Sequence, residues 1–334
     1  MIRMCVKEGK RMANIREIAE AAGVSITTVS RVLNGHPYVK EEKRQKVLET
    51  IERLEYARNM HAVHLSKGFS NMIGVVLPTI SLPYFGELLE GIAEEAAKEG
   101  VHFSLYQTNY QLEKEIFALE QLKQRQVDGL IFCSKAMSDE ALLDWRETGP
   151  FILCQDSGEQ HFATVSIPHK EAFRLGLDFL IEKGHTKIAI GLARKNGMNS
   201  HFRLKAYKEA LAAIGEPYRE EWVFERSLTI TDGQKLFSEW KGMEEKPTAV
   251  FVANDQVSAG IFLEAQRHQV DIPGSLAILS CDNQPISEVL GISTIEINIK
   301  EMGKRAFRLL QKRIGGAGPE KLTVPYKLIK RATV

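Results

Sequence analysis

The first 55 residues have the hydrophobic spacing of short helices, whereas the chain from Met72 onward alternates apolar segments with amphipathic helices. Several apolar segments have no polar alternation, which is typical of parallel strands buried on both faces. We predict strands at 72–78, 101–108, 127–134, 151–157, 186–193, 248–255 and 276–283. Helical segments between them end at Gly100 and Gly184, because glycine favours helix C-termini. The pattern predicts repeated βα units, with ligand sites at the carboxyl ends of the strands.

Three helices are predicted in the head, residues 13–57. Asn14 and Glu17 form a capping pair for the first helix, Gly23 ends it, and the Ser25 hydroxyl caps the second. The apolar positions expected to form the core are Ile15, Ile18, Ala19, Ala22, Val29, Val32, Leu33, Val47, Leu48, Ile51 and Leu54. The outer face of the second helix then carries Ile26, Thr27, Ser30 and Arg31. Two short helices joined by a glycine-containing turn indicate a helix-turn-helix, although this pattern alone also allows a generic three-helix bundle.

The composition is that of an ordinary soluble protein and argues against a membrane or secreted protein. The chain has 334 residues, with 44% hydrophobic and 26% charged residues, and neither a membrane-length apolar run nor a secretory signal. Residues 1–70 contain 13 Lys and Arg against 8 Asp and Glu, so the head is basic although the whole chain is only +1. Dispersed cysteines (Cys5, Cys133, Cys154, Cys281) indicate a reducing compartment, and we expect a cytoplasmic, nucleoid-associated protein. Met12 is a second plausible start, and residues 1–12 are expected to be a disordered extension.

Enzyme motifs are absent from the sequence. It has no GxGxxG after a strand, no GxxxxGK[ST], no GxSxG and no HExxH, and its nine histidines are not spaced as metal ligands. We therefore predict a protein that is not an enzyme and that uses neither a cofactor nor a metal.

The segment ANIREIAEAAGVSITTVSRVLNGHPYVKEEKRQKVLETIERLEY resembles the DNA-binding head of the LacI/GalR (lactose repressor) family, with AGVS and TTVSRVLNG matching nearly position by position. The similarity continues through IGVVLP, VDGLIF, EKGHTKIAI, PTAVFVANDQVSAG, VDIPGSLAILSCDN and EMGKRA, in family order, over residues 13–333. It implies an all-α helix-turn-helix head and an α/β type I periplasmic-binding-protein-like core of two doubly wound parallel-sheet lobes. It also implies a dimer that reads a palindromic operator.

The resemblance implies roles for particular residues of the head. Ile26, Thr27 and Arg31 lie where the family reads bases, and Arg31 can pair with a guanine. Ser25, Thr28, Ser30 and Asn34 lie where phosphates are held, which sets register rather than sequence. Arg16 is either a phosphate contact or a solvated side chain. The remaining expected DNA contacts are Asn14, Ile15, Tyr38, Asn59 and Leu65.

Residues 58–70 are expected to form a linker that relatives fold into a hinge helix on the operator. Leu65 matches the leucine that wedges into the minor groove and kinks the DNA, although it can also be an ordinary apolar linker residue. Arg58 replaces the family's usual proline, and His64 stands where arginine or glutamine is common.

The core, residues 71–334, is expected to form lobe 1 from 71–165 and 297–319, and lobe 2 from 166–296 and 320–334. Family effector contacts match Arg203, Asn254 and Asp282, with Tyr84 and Phe85 as aromatic walls, although these polar groups can also serve lobe closure. Asp255 is expected to cap the following helix. Leu228 and Ile299 replace stacking aromatics, and Ser280 with Cys281 replaces a glycine–aromatic pair, so the cleft has little stacking surface for a free sugar.

These departures favour the catabolite-control branch of the family, in which one member uses serine-phosphorylated HPr as corepressor. Arg308 and Lys312 match the partner-facing basic residues there, although a solvated basic helix face explains them equally. We therefore predict a repressor of carbon-source or catabolite-controlled genes, controlled by a sugar, a sugar phosphate or phosphorylated HPr. The alternatives are a free-sugar-responsive repressor of a single operon and, more remotely, a small-molecule-binding protein that does not bind DNA.

Overall fold

The computed structural model describes residues 13–56, 68–158, 161–194, 197–225 and 227–334. The chain divides into two compact units, Met1–Gly68 and Phe69–Val334. Most of the predicted linker, including Arg58, Asn59, His64 and Leu65, lies outside the described residues. No helix among those residues has both the length and the apolar character that crossing a membrane requires.

The first unit contains the three predicted helices. They are α1 (Ile15–Ala21), α2 (Ile26–Leu33) and α3 (Glu41–Arg53). Their apolar faces meet in a small core whose fully buried members are Ile18, Ala19, Val29, Val32 and Val47. The prediction that Leu48 of α3 belongs to this core is wrong, because this residue is 47% exposed. A helix places consecutive residues about 100° apart, so Val47 and Leu48 cannot both face the same narrow core.

The second unit contains two six-stranded sheets, each covered by helices on its faces. The strands are β1 (Met72–Leu77), β2 (His102–Gln107), β3 (Leu130–Phe132), β4 (Phe151–Leu153), β5 (Ala163–Ser166), β6 (Ile188–Gly191), β7 (Val223–Phe224), β8 (Ala249–Val252), β9 (Ala277–Asp282), β10 (Ser293–Glu296), β11 (Lys321–Thr323) and β12 (Lys327–Ile329). The helices are α4 (Pro83–Lys98), α5 (Leu112–Lys123), α6 (Asp139–Leu143), α7 (His169–Glu182), α8 (Met198–Ala213), α9 (Ile230–Gly242), α10 (Asp255–Arg267), α11 (Pro285–Val289) and α12 (Ile299–Ile314). A 3₁₀ turn covers Glu220–Trp222.

The seven predicted strands are all present, and five further strands were not predicted. These are β5, β7, β10, β11 and β12, with two to four residues each, so none has an apolar run long enough to register in a sequence pattern. The strand predicted at 151–157 ends at Leu153. Gly100 and Gly184 follow helices with positive φ angles of 64° and 91°, as their predicted role at helix ends requires.

The first sheet has the strand order β2-β1-β3-β4-β5-β11 and is parallel throughout. The second has the order β7-β6-β8-β9-β10-β12, in which only β12 is antiparallel to its neighbour. This is the two-lobed, doubly wound core that the βα pattern predicts. The chain passes between the sheets after β5, after β10 and after β11.

The predicted position of the third crossing is wrong. Residues 320–334 were assigned to lobe 2, but Lys321–Thr323 pairs in parallel with Thr164–Ser166 and extends the sheet of lobe 1. Only β12, beyond the crossing, belongs to the second sheet. The polar sequence of β11 gives no apolar signal that would have placed it on either lobe.

Two glycines let α4 and α12 cross closely beneath the first sheet. A Cβ at Gly91 would overlap the carbonyl oxygen of Lys300, and a Cβ at Gly303 would overlap the carbonyl oxygen of Leu88. Ion pairs flank the crossing, because Lys300 and Lys304 both contact Glu94 and lower its pKa to about 2. This contact joins the C-terminal helix of lobe 1 to its N-terminal part.

Replacement of Gly91 by alanine is expected to lower the free energy of unfolding of the second unit by about 1–3 kcal/mol, since backbone must move to relieve the overlap. Gly86→Ala in the same helix is the matched control, because no atom lies within 4 Å of its added methyl group. That control should be neutral or stabilise by about 0.5–1 kcal/mol through helix propensity. Denaturant unfolding measures both changes. Equal behaviour of the two variants would contradict the proposed close crossing.

Candidate DNA interface and ligand cavity

The first two helices of the head are each capped at the N-terminus by a side chain. The predicted capping pair of α1 is confirmed, because Asn14 Oδ1 accepts hydrogen bonds from the amides of Arg16 and Glu17, and Glu17 Oε2 accepts from the Asn14 amide. The Ser25 hydroxyl likewise accepts from the Thr28 amide at the start of α2. Val29 and Val32 anchor the helix to the core. The opposite face of α2 is therefore held at a defined orientation and left open.

This open face carries the residues predicted to read bases. Ile26 is 48% exposed, and Thr27 and Arg31 are exposed beside it. Within the described residues, Arg31 forms neither an ion pair nor a hydrogen bond through its guanidinium, so its donors remain available. An exposed guanidinium on a short helix that packs firmly on the core can reach the edge of a guanine in a major groove.

The other predicted DNA contacts of the head differ in their availability. The Ser25 and Thr28 hydroxyls lie 2.9 Å apart, and Asn34 donates to the Ser30 hydroxyl at 3.4 Å. Arg16 and Tyr38 are exposed, whereas Ile15 packs against the head core. The side chain of Ile15 therefore faces inward. The positions of Asn59 and Leu65 lie outside the described residues.

A cavity of about 880 Å³, including its open mouth, lies between the two lobes of the second unit. It is bounded by loops that follow the carboxyl ends of strands and by the first turns of α4, α8 and α10. All five predicted effector residues line it: Tyr84, Phe85, Arg203, Asn254 and Asp282. The structure thus brings together residues that lie up to 198 positions apart in the sequence.

Arg203 lies in the lobe 2 wall of this cavity and is only 8% exposed. Its Nη2 lies 3.4 Å from Nδ1 of His169, which is also buried. Burial, and then the charge of Arg203, hold the pKa of His169 well below its usual range. The imidazole is therefore neutral and can accept a hydrogen bond from the guanidinium.

Asp282 ends β9 with a φ angle of 105°, a backbone conformation that non-glycine residues rarely adopt. Its Oδ2 accepts from Gln284 Nε2 at 3.1 Å, and Gln284 Oε1 in turn accepts from Gln256 Nε2 at 2.9 Å. Burial, and then the nearby Asp255 carboxyl, raise the pKa of Asp282 well above its usual range. Strained backbone of this kind is tolerated where the surrounding structure fixes it, often at ligand sites.

The capping role that was predicted for Asp255 belongs to Asn254, which also lines the cavity. Asn254 caps α10, because its Oδ1 accepts from the Val257 amide while its Nδ2 donates to the Ser227 carbonyl. Asp255, which was predicted to be the cap, is fully buried and accepts from the Gln284 amide and the Thr294 hydroxyl. Asn and Asp are both favoured at helix N-caps, so the sequence cannot distinguish them. Contacts with the neighbouring loop and strand determine which of the two side chains is buried.

Aromatic surface on the cavity wall comes mostly from lobe 1. Tyr84 and Phe85 pack edge to face, with ring centroids 5.1 Å apart. Leu228 and Ile299 stand where relatives have aromatic residues that stack on a sugar. Leu228 lines the cavity, whereas Ile299 is buried in the core. An additional aromatic side chain that the sequence analysis missed, Tyr110, lines the cavity too.

Arg194 forms a bridge between the lobes that sequence reasoning also missed. It projects from the loop after β6, its guanidinium lies 3.7 Å from the centroid of the Tyr110 ring, and its Nη2 lies 3.4 Å from the Lys135 carbonyl. Other missed cavity residues are Cys133, Ser134, Gln155, His169, Asn199, Ser200 and Gln284. Several directly follow β3, β4 and β9, so the rule that ligands bind at the carboxyl ends of parallel strands would have found them.

Arg308 and Lys312 lie on α12 of lobe 1, and their side chains are 52% and 60% exposed. Both are already paired, Arg308 with Glu95 at 2.7 Å and Lys312 with Glu320 at 3.3 Å. An incoming anion would therefore compete with these carboxylates.

Comparison with known proteins agrees with this architecture. The LacI family model of bacterial regulatory proteins matches residues 14–59, and the model of periplasmic binding proteins and the sugar-binding domain of the LacI family matches residues 70–332. The Lac repressor dimer bound to operator and the anti-inducer ONPF superimposes with a TM-score of 0.84 at 24% identity, covering 97% of this chain and 99% of that one. At this identity the likeness concerns the fold.

Two relatives from Bacillus subtilis (strain 168) span nearly the whole chain. The HTH-type transcriptional regulator YkvZ is 66% identical over 323 residues, covering 97% of this chain and 100% of that protein. Catabolite control protein B is 33% identical over 322 residues, covering 96% and 100%. The identity to YkvZ is twice as high, so the catabolite-control protein is the more distant of these two relatives. With a matching head, a matching core and full-length relatives, the chain belongs to the LacI family of bacterial transcriptional regulators.

Proposed function

We propose that this protein is a cytoplasmic repressor of carbon-source or catabolite-controlled genes that binds a palindromic operator as a dimer under the control of a ligand in the interlobe cavity. The observation that carries DNA reading is the exposed face of α2, where Ile26 and Thr27 stand beside Arg31, whose guanidinium has no partner among the residues that the structure describes. The similarity to catabolite control protein B supports the assignment to carbon control.

DNA recognition follows from the chemistry of that face. Arg31 pairs with O6 and N7 of a guanine, while Ile26 and Thr27 contact neighbouring base edges. Ser25, Thr28, Ser30 and Asn34, with Asn14, Arg16 and Tyr38, hold phosphates and set the register. In this proposal the linker adds Asn59 and the Leu65 wedge, which bends the operator.

The free edge of the first sheet is the surface that we propose for the dimer. Large apolar side chains are exposed on the edge strand β2, on α5 and on the loop before α4: Ile80, Phe103, Leu105, Leu112 and Phe117. An uncovered strand edge with this many apolar side chains favours association. A second copy of the chain is the occupant we propose, because two heads are needed to read two half-sites.

The ligand that controls DNA binding is proposed to be a small molecule in the cavity. Serine-phosphorylated HPr is the second candidate, supported by the exposure of Arg308 and Lys312 on one helix. The cavity ligand is favoured because both cations are already neutralised by Glu95 and Glu320. Either effector can act only through a difference in its affinity for the two states of the dimer.

Arg31→Ala is expected to relax base preference at one symmetric position of the operator, with a loss of about 1–3 kcal/mol of discrimination per contact. Affinities are measured for an operator selected from random palindromic DNA and for its single-base-pair variants. Arg53→Ala, which removes an exposed charge from α3, is the control and should preserve the preference. A loss with Arg31→Ala that is uniform across all operators would make Arg31 a phosphate contact.

Phe117→Asp is expected to dissociate the dimer, because a carboxylate would be buried at the association surface. Operator affinity should then fall by about 100-fold or more, since the two heads no longer bind together. Leu175→Asp, at an exposed leucine of α7, is the matched control. Sedimentation velocity measures the oligomeric state of each variant. A Phe117→Asp protein that remains dimeric would show that the interface lies elsewhere.

Titration of the protein–operator complex separates the two candidate effectors. Sugars, sugar phosphates and serine-phosphorylated HPr are added one at a time, and operator affinity is measured after each addition. We expect a cavity ligand to change the affinity in the wild-type chain and to lose its effect in Asp282→Ala, which removes the carboxyl oxygens from the cavity wall. A response to phosphorylated HPr alone, abolished by Arg308→Ala with Lys312→Ala, would establish the protein corepressor instead.

A further inference from the structure

The cavity holds an unbalanced set of charges. Among its described lining residues are two arginines, Arg194 and Arg203, and a single carboxyl, that of Asp282. In the described part of the chain, neither guanidinium has a carboxylate oxygen within the 4.0 Å of an ion pair. Elsewhere in lobe 2, Arg174, Arg219 and Arg267 are each paired with a carboxylate.

Arg203 makes few contacts for a buried guanidinium. Its one hydrogen bond to the described residues goes to His169, at the long distance of 3.4 Å, and the pKa of that imidazole is lowered so that it carries no compensating charge. The guanidinium has five N–H donors, and a buried group of this kind normally satisfies them. The remaining donors open onto the cavity that Arg203 lines.

The start of α8 faces the same part of the cavity. Gly197, Met198, Asn199 and Ser200 all line it. Gly197 is the N-cap of this 16-residue helix, and as a glycine it has no side chain to cap the first amides. Ser200 is buried, and Arg203 lies one turn further along the helix. Helix amides, a hydroxyl and a guanidinium on one side of a cavity are the donors that bind an oxyanion.

The carboxyl across the cavity forms no ion pair with Arg194 or Arg203 among the described residues; its hydrogen bond goes to Gln284 instead. Burial, and then the neighbouring Asp255 carboxyl, raise the pKa of Asp282, which disfavours its charged form. Asp282 and Gln284 together offer hydrogen-bonding groups for hydroxyls. The two sides of the cavity thus offer different chemistry.

We propose that the ligand of this cavity is a hydroxylated small molecule carrying a phosphate or carboxylate group, with the oxyanion held by Arg203, Ser200 and the first turn of α8. This proposal rests on the proposed function, in that it names the chemical class of the effector. Asp282 and Gln284 bind the hydroxyl-bearing part of the molecule, and Arg194 closes the cavity beside it through its contact with Tyr110.

Inorganic phosphate and acetate serve as fragments of the two possible oxyanions. Unfolding temperature of the full chain is followed with each anion and with chloride at equal ionic strength, and apparent dissociation constants are taken from its concentration dependence. We expect phosphate, acetate or both to stabilise the chain more than chloride does. The anion that stabilises more strongly identifies whether the ligand carries a phosphate or a carboxylate group. A wild-type chain that responds to neither beyond chloride overturns the proposal.

Variants localise the response, because the basic head can bind anions as well. Arg203→Gln is expected to weaken the apparent affinity for the effective anion by about tenfold or more, since it removes a charge-assisted contact. Arg267→Gln, which removes an exposed charge from α10, should leave it unchanged. Equal responses in the two variants would place the anion elsewhere and overturn the proposal. Arg203→Lys, which keeps the charge, should retain most of the response and replaces the glutamine variant if that one does not fold.

The outcome is separable from that of the proposed function. The operator preferences of the wild type, Arg31→Ala and Arg53→Ala are measured without the test anions, so a failed anion test leaves those DNA-binding results standing. An anion that binds through Arg203 while the full effector series leaves operator affinity unchanged would support the site and contradict effector control.

Discussion

The core is organised by a chain that passes three times between two separate sheets. The passages follow β5, β10 and β11, so each lobe contains segments from distant parts of the sequence. Because the strands within each sheet are almost all parallel, their carboxyl ends collect at one edge, and the loops that follow them face the space between the lobes. The cavity, its polar residues and any hinge motion of the lobes all depend on this arrangement.

Buried polar contacts keep the cavity walls in place. Asp255 lies within the core of lobe 2 and accepts hydrogen bonds from the amide of Gln284 and the hydroxyl of Thr294. This fixes the loop after β9, in which Asp282 adopts a φ angle of 105° and accepts from the Gln284 side chain. The carboxylate that holds the wall is thus distinct from the one that faces the ligand space, although the two repel each other and both have a raised pKa.

Cavity-lining residues of the two lobes contact each other, and these contacts involve groups that a ligand can replace or reinforce. Arg194 of lobe 2 reaches Tyr110 and the Lys135 carbonyl of lobe 1. A cation–π contact of this kind contributes about 0.5–2 kcal/mol, depending on its exposure. That is small beside the affinity of a typical effector, so ligand binding can set the lobe arrangement.

The sequence by itself determined the elements with strong periodic signals: the three helices of the head, the capping pair of Asn14 and Glu17, the Ser25 cap and seven parallel strands. It also identified five residues that line one cavity: Arg203, Asn254 and Asp282 through motifs typical of the family, and Tyr84 and Phe85 as aromatic residues after Pro83. Tertiary structure alone decided that Asn254 caps α10 while Asp255 is buried, that Leu48 faces outward, and that Lys321–Thr323 joins the first sheet. In each case two placements satisfy the local sequence equally, and only partners distant in the chain distinguish them. The same holds for the charge of the cavity, since the finding that no described carboxylate pairs with Arg203 is a property of the folded arrangement and not of its neighbours in sequence.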